Sequence, residues 1–319
     1  MPDQNLAVVI LAAGKGTRMK SDLPKVLHPV GGRAMLDWSI DLARSTRCSR
    51  IVTVVSAGSD VLQAHVTGAL GENAFAIQDP PLGTGHAVLA AREQLGDFDG
   101  NLIVLYGDTP LIPASAINAL FAEIEQGAAV GVLGFEAASP GAYGRLVTSA
   151  DDSLEAIVEA KEASPDQLKI TLCNSGVMAG KASHMFALLD RVTNDNAKGE
   201  YYLTDIVEIA RREGAVCKVV RCAERDVQGV NSRVELAVAE AAFQDRRRTA
   251  LLESGVTMTA PETVFLSYDT EIFPDVMIEP NVVFGPKVRV EKNAKIRAFS
   301  HLEGAVVRQG AEIGPYARL

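Results

Sequence analysis

The stretch Leu11-Ala-Ala-Gly-Lys-Gly-Thr-Arg-Met19, followed by Leu23-Pro-Lys25, carries residues suited to holding an oxyanion. Gly14 and Gly16 permit positive φ and let backbone N–H groups approach an anion closely. Arg18 offers a planar fork and Lys25 a point charge, both matched to phosphate oxygens. Two common glycine motifs do not fit. A Walker A loop needs GxxxxGK followed by Ser or Thr, and a dinucleotide fingerprint needs a third glycine where Met19 stands. The loop is a phosphate site of another kind.

A second cluster of chemistry follows another apolar run. In Tyr106-Gly-Asp-Thr-Pro110, Asp108 is placed either to shape a turn or to hold a hard cation. Gln78 precedes Leu82-Gly-Thr-Gly-His-Ala87, and two polar segments come later, Asn196-Ala-Lys-Gly-Glu-Tyr-Tyr-Leu-Thr-Asp205 and Gly229-Val-Asn231. Taken in this order and spacing, the segments resemble the sugar-nucleotide pyrophosphorylase superfamily. With the C-terminal repeats described below, the chain is similar along essentially its whole length to the bacterial bifunctional UDP-N-acetylglucosamine pyrophosphorylases/glucosamine-1-phosphate N-acetyltransferases.

That resemblance implies a site and a reaction. Leu11, Ala12, Ala13, Gly14, Gln78, Gly83 and Thr84 would hold a uridine nucleotide, with Lys25 and Arg18 on its phosphates. Tyr106, Gly107, Gly144, Glu159 and Asn174 would line a sugar pocket, and Asp108 and Asn231 would hold Mg²⁺. Arg18, Lys25 and Asp108 would be the catalytic residues. The pairing of Asp108 with Asn231, and the places of Glu159 and Asn174, rest on the family alone. Ala160, where the family often has His or Glu, and Ser175, where Thr is common, are mild departures. The implied partners are UTP, N-acetylglucosamine 1-phosphate, UDP-N-acetylglucosamine and pyrophosphate, in the supply of peptidoglycan and lipopolysaccharide precursors.

The implied chemistry is coherent. A sugar 1-phosphate has a second pKa of about 6, so it is already a nucleophile at neutral pH. The obstacle is the approach of one anion to the α-phosphorus of another, which cations and backbone N–H groups relieve. No proton shuttle is needed, so His86 reads as a structural residue or a loop hydrogen bond. Tyr201 and Tyr202 read as packing. The alternatives are another sugar-1-phosphate nucleotidyltransferase, a cytidine diphospho-alcohol synthase sharing the Ala-Ala-Gly-x-Gly opening, and a non-catalytic regulatory paralogue. The last is disfavoured by the intact Gly14, Gly16, Arg18, Lys25, Asp108 and Asn231.

These side chains need a scaffold. Leu6–Ala12, Ile51–Ser56, Phe75–Gln78 and Leu102–Tyr106 are short apolar runs bounded by Gly, Pro or Asp, the pattern of buried strands. Ala34–Ser45, Gly85–Leu95 and Ser115–Gln126 carry helical spacing. The alternation predicts an α/β fold, Rossmann-like with a mostly parallel sheet, and a ligand beyond the carboxyl ends of the strands. A long helix runs from a cap at Asn231 or Ser232 to about Glu253, and its Arg246-Arg247-Arg248 run reads as a solvated face.

Beyond it, Leu266, Ile272, Ile278, Phe284, Val290, Ile296 and Leu302 recur every six residues. Four places after each stands Thr270, Val276, Val282, Val288, Ala294, Ser300 or Val306, and after a five-residue step Val307, Ile313 and Leu319 resume the pattern. A six-residue period fits a β-solenoid, with the apolar residue inside and the small one at the corner. The resemblance makes this a partial left-handed parallel β-helix. The expected domains are 1–233 for uridylyl transfer, 234–254 as linker helix and 255–319 as the start of the β-helix, read as cut short because no cap follows.

Composition narrows the setting. Against 40 Asp plus Glu there are only 31 Lys plus Arg, a net charge of −9 that disfavours nucleic acid as the main partner. The N-terminus lacks a signal-peptide pattern, and no uninterrupted apolar stretch is long enough to span a membrane. Cys48, Cys173, Cys217 and Cys222 form no CxxC pair, which fits a reducing compartment, the cytoplasm.

The resembled β-helix packs three-fold and carries its acetyl-CoA sites between prisms, with the catalytic histidine on later coils; His301, early in the array, reads as a surface residue. The chain is therefore expected to sediment at about three times 33.9 kDa. It is also expected to show no acetyl transfer from acetyl-CoA to glucosamine 1-phosphate. A monomer at micromolar concentration defeats the first expectation and measurable transfer defeats the second.

Overall fold

The computed structural model describes residues 4–150 and 152–319. The chain forms two compact units: residues up to Leu27 with Met35–Ser232, and His28–Ala34 with Arg233–Leu319. The sequence reading had no signal for the seven-residue excursion His28–Ala34, which it left inside the first domain.

The first unit is built on one nine-stranded sheet. Its strands are β1 (Gln4–Leu11), β2 (Cys48–Ser56), β3 (Phe75–Gln78), β4 (Asn101–Tyr106) and β5 (Val130–Glu136). They are joined by β6 (Arg145–Thr148), β7 (Leu154–Val158), β8 (Leu172–Lys181) and β9 (Cys217–Cys222). The order is β9-β5-β8-β4-β1-β2-β3, with β6 paired to β8 and β7 to β6. β1 runs parallel to β2 and β4, and β2 to β3, whereas β8 is antiparallel to β4, β5 and β6. The strand order reverses between β1 and β4, and the chain leaves both at their carboxyl ends, where a crevice opens.

Strand periodicity sets the core. Leu6, Val8 and Ile10 of β1 enter one apolar layer, Ala7, Val9 and Leu11 the other, because successive side chains point to opposite faces. Helices α1 (Met35–Ser45), α2 (Asp60–Leu70) and α5 (Ala114–Glu125) cover the first layer. Helices α3 (Thr84–Ala90), α4 (Arg92–Leu95), α6 (Ala182–Leu189) and α7 (Asp205–Arg212) cover the second. The run expected as one helix over Gly85–Leu95 is two, because the chain tightens at Ala91, whose N–H bonds to the Val88 carbonyl at 3.1 Å.

In the second unit, α8 being the short turn Glu224–Val227 of the first, α9 (Arg233–Glu253) leads into two-residue strands arranged on three faces. Met277–Ile278 pairs with Lys295–Ile296, Glu271–Ile272 with Arg289–Val290, and Val283–Phe284 with His301–Leu302, all parallel. The hexad residues Ile278, Val290, Ile296 and Leu302 are fully buried. Corners turn at left-handed residues just before the small ones, at Asp275, Asn281, Lys287, Asn293 and Phe299, with φ between 59° and 65°.

Two expectations need correction here. Val306 is half-exposed, and Ala305 takes the corner place, its carbonyl accepting the Arg289 N–H at 3.0 Å. The five-residue step therefore falls before the corner. Two of the three arginines are also turned from solvent: Arg248 is 11% exposed and donates to the Val264 carbonyl at 2.9 Å, and Arg247 donates to the Thr270 carbonyl at 2.7 Å. Guanidinium forks satisfy carbonyls of the first coil that have no strand partner on that side.

In the first unit, Phe135 is fully buried and meets the Tyr143 ring edge-on, with centroids 5.0 Å apart. Phe135→Ala should lower the unfolding free energy by about 3–5 kcal/mol, read from the urea midpoint. A midpoint shift worth less than about 1 kcal/mol would show that the site collapses around the cavity.

Candidate functional site

The crevice at the reversal is a cleft of about 390 Å³. Its walls come from three strand ends: Leu11, Ala12, Ala13 and Gly14 after β1, Gln78 closing β3, and Tyr106 and Asp108 at the end of β4. Lys25, Gly83 and Thr84 complete the sequence-named part of the lining. Backbone bonds fix the strand exits, Ala12 N–H to Val54 O at 2.8 Å and Gly107 N–H to Leu11 O at 2.9 Å. Gly107 is buried against Val26, Leu36 and Ala12, so it shapes the floor without lining the cleft.

The phosphate loop folds over the stem of Lys25. Gly16 has φ +59°, and a Cβ there would stand 2.6 Å from Lys25 Cβ, so only glycine permits the crossing. Gly14 faces open space toward the Lys25 ammonium. Arg18 stands exposed on the turn Thr17–Met19, outside the cleft wall.

Lys25 Nζ donates to Asp108 Oδ2 and, at 3.0 Å, to Asn231 Oδ1. The Lys25 and Asp108 side chains are only 11% and 14% exposed. Asn231 arrives because the Val230 N–H bonds to the Asp108 carbonyl at 2.9 Å. A carboxylate oxygen and an amide oxygen thus converge on one cationic point. Two hard oxygens from protein are the donor set that Mg²⁺ commonly accepts, the rest of its shell being water and phosphate. The site residues fit such an ion.

Gly144, Glu159 and Asn174 form a second group. A Cβ on Gly144 would lie 3.6 Å from Glu159 Oε1 and 3.7 Å from Asn174 Cβ. The Asn174 amide oxygen accepts the Gly176 N–H at 2.9 Å, and Gly176, φ +94°, lies so close to the Tyr106 ring that a Cβ would stand 2.7 Å from it. Burial, then the charges of Asp108 and Glu159, push the Tyr106 phenol far up, so it stays neutral and hydrogen-bonded to Thr84. The Glu159 carboxyl is also pushed up, chiefly by burial, with Glu162 and Glu200 adding to it against the pull of Lys198.

Sequence reasoning missed Lys15, Val26, Pro81, Ala87 and Glu200, which also line the cleft. The signal for Glu200 lay in the Asn196–Asp205 segment. The Tyr201 N–H bonds to Leu82 O at 2.7 Å, the Gly85 N–H to Tyr201 O at 2.8 Å, and the Leu203 N–H to Thr84 Oγ1 at 3.0 Å. This backbone clip carries Glu200 to the rim. A Cβ on Gly83 would lie 2.6 Å from Tyr201 O, which explains the glycine.

Residues 8–167 match the MobA-like NTP transferase domain. The bifunctional protein GlmU of Hyphomonas neptunium is 63% identical over 313 residues, covering 98% of this chain and 68% of that protein. GlmU of Azorhizobium caulinodans is 49% identical over 319 residues, covering all of this chain and 71% of that one. Among solved structures, the inositol-1-phosphate CTP transferase from T. maritima aligns with a TM-score of 0.58 at 17% identity, over 75% of this chain and 96% of that chain, a likeness of fold.

The same clip creates an acidic belt. Asp205 opens α7, where the helix dipole favours a carboxylate. Burial and the charges of Glu162, Glu208 and Glu159 outweigh that and raise its pKa from 3.8 to about 6. The folded chain thus holds this proton more tightly than the unfolded one, and stability falls as pH rises between those values. Asp205→Asn should raise Tm at pH 8, with the gain vanishing below about pH 4. A gain equal at both pH values would refute the electrostatic origin.

Proposed function

The chain belongs to the bifunctional GlmU family and makes UDP-N-acetylglucosamine by uridylyl transfer, and we propose that the cleft at the ends of β1, β3 and β4 performs that reaction with Mg²⁺ held by Asp108 and Asn231. The observation that carries the site assignment is the convergence of Asp108 Oδ2 and Asn231 Oδ1 on the Lys25 ammonium. Such an arrangement is a cation site before any ligand arrives. We take residues 1–233 as the uridylyltransferase domain, 234–254 as its linker helix and 255–319 as part of a β-helix.

Leu11, Ala12, Ala13, Gly14, Gln78, Gly83 and Thr84 take the uridine nucleotide, the backbone N–H groups of the phosphate loop facing its phosphates. Tyr106, Gly144, Glu159 and Asn174 take the sugar, with Gly107 shaping the floor beneath; a neutral phenol beside the Glu159 carboxyl and the Asn174 amide offers a hydroxyl-rich ring both donors and acceptors. The sugar phosphate supplies its own nucleophilic oxygen. It attacks the α-phosphorus in line, and pyrophosphate leaves from the opposite side. When bound, Mg²⁺ supplies charge neutralisation on the nucleotide phosphates. Lys25, on a flexible stem, shifts its ammonium from the Asp108 carboxylate to the phosphate oxygens as negative charge enters. Arg18, on the exposed turn, meets the phosphates that project beyond the cleft wall. No residue needs to carry a proton, which is why the cleft works without a histidine at the reacting atoms.

Among the described residues no helix is long and apolar enough to cross a membrane. We place the reaction in the cytoplasm, where UTP is available, and take the working form as a homotrimer joined through the β-helix.

The decisive measurement is pyrophosphate release from UTP and N-acetylglucosamine 1-phosphate with Mg²⁺. Asp108→Ala should lower kcat by roughly 10²-fold or more while the circular dichroism spectrum stays that of the parent. Near-normal turnover of the variant at saturating Mg²⁺ would remove Asp108 from the metal site.

A further inference from the structure

We propose that His86 is a positioning residue that sets the base selectivity of the cleft by fixing which end of the Gln78 amide faces the nucleotide. The inference rests on the assignment of the cleft to a uridine nucleotide and goes beyond it to the origin of the choice of base.

Gln78 is the last residue of β3 and is only 5% exposed. Its Nε2 donates to the Gly83 carbonyl at 2.9 Å and meets His86 Nδ1 at 3.3 Å. A backbone carbonyl only accepts, so the nitrogen end of the amide must lie on that side. The carbonyl itself cannot swing away. It also accepts the Ala87 N–H at 3.1 Å in the first turn of α3, and Gly83 is wedged against Tyr201. His86 Nδ1 is then the acceptor of the second amide hydrogen, which places the imidazole proton on Nε2.

With both amide hydrogens engaged, Gln78 has one group left, Oε1. Its side chain makes no other hydrogen bond among the described residues, and the residue lines the cleft. Gln78 therefore offers the cleft an acceptor. Uracil carries a donor at N3–H, whereas cytosine carries a lone pair at N3. Set against the N3 position, the amide as held accepts from uracil and repels cytosine, and the reversed amide would do the opposite. Gly83 alone pins one hydrogen and lets the amide rock. His86 pins the second in its Nε2–H tautomer, so reversal sets Oε1 against the Gly83 carbonyl and also forces the imidazole to change tautomer. This explains why a histidine stands beside chemistry that needs no proton transfer.

The test compares kcat/KM for UTP and CTP in the full chain, with N-acetylglucosamine 1-phosphate and Mg²⁺ and pyrophosphate release as readout. His86→Ala should lower the UTP-to-CTP ratio roughly tenfold, the scale of one lost hydrogen bond. His86→Phe, which keeps the ring volume but lacks the acceptor, should do the same and serves if the alanine variant is unstable. His86→Asn, whose Oδ1 takes the place of Nδ1, should restore the ratio to within about threefold of the parent, since one acceptor replaces another. An unchanged ratio in His86→Ala and His86→Phe, with both nucleotides slowed alike, would mean His86 is merely structural and overturns the inference. An asparagine variant as unselective as the alanine one also overturns it. A parent chain with no preference for UTP overturns the uridine assignment itself, a result distinct from either.

Discussion

Lys25 places its ammonium between the Asp108 carboxylate and the Asn231 amide oxygen, and three loops of the first unit take their positions from that contact. The phosphate loop lies on the lysine stem through Gly16. Asp108 comes directly from the end of β4, and Asn231 is brought up by the Val230 bond to the Asp108 backbone. Because the pair is largely buried, a carboxylate without a cation there would be costly, and a cation without the carboxylate equally so. The position demands positive charge, and an enzyme handling polyanions needs that charge to be exchangeable between protein and ligand.

The opposite rim follows a different logic. Backbone bonds of Leu82 and Gly85 with Tyr201, and the Leu203 N–H donating to the Thr84 hydroxyl, join two segments far apart in sequence. Backbone pairing is insensitive to side chains, so most of the rim keeps its shape while Gln78 and Glu200 present their polar groups. It also concentrates Glu159, Glu162, Glu200 and Asp205, with Lys198 as a nearby countercharge on Glu159. Burial, with that crowding added, raises the pKa values of Glu159 and Asp205. The rim gives up some stability at neutral pH to hold these carboxyl groups together.

The second unit depends on register. Each hexad buries one apolar side chain and turns at one left-handed residue, so a single-residue error would move every later apolar side chain to solvent. The shortened step after Leu302 avoids this by dropping a residue ahead of the corner, which leaves Val307 buried and Val306 outside. The arginines of α9 serve the same unit, capping first-coil carbonyls that the repeat cannot pair.

Much was legible in the residues alone. Local patterns gave β1, β3 and β4 nearly to their ends, the phosphate loop, the hexapeptide repeat and the acid at Asp108, because strand alternation, turn chemistry and a fixed repeat are properties of neighbouring residues. The order of the motifs gave the family. Other features had no local signal. Asn231 beside Asp108, Gly144 beside Glu159 and Asn174, Tyr201 against Gly83, and His28–Ala34 grouped with α9 are contacts between residues far apart along the chain. Charge runs misled for the same reason: Arg246-Arg247-Arg248 looks solvated until the first coil brings carbonyls to two of the three side chains. The sequence determined which chemistry each segment could contribute, since that is set by residue type and the turn or strand around it. Only the tertiary structure decided which contributions meet, because sheet order and backbone pairing, not spacing, bring Lys25, Asp108 and Asn231 to one point and His86 to Gln78.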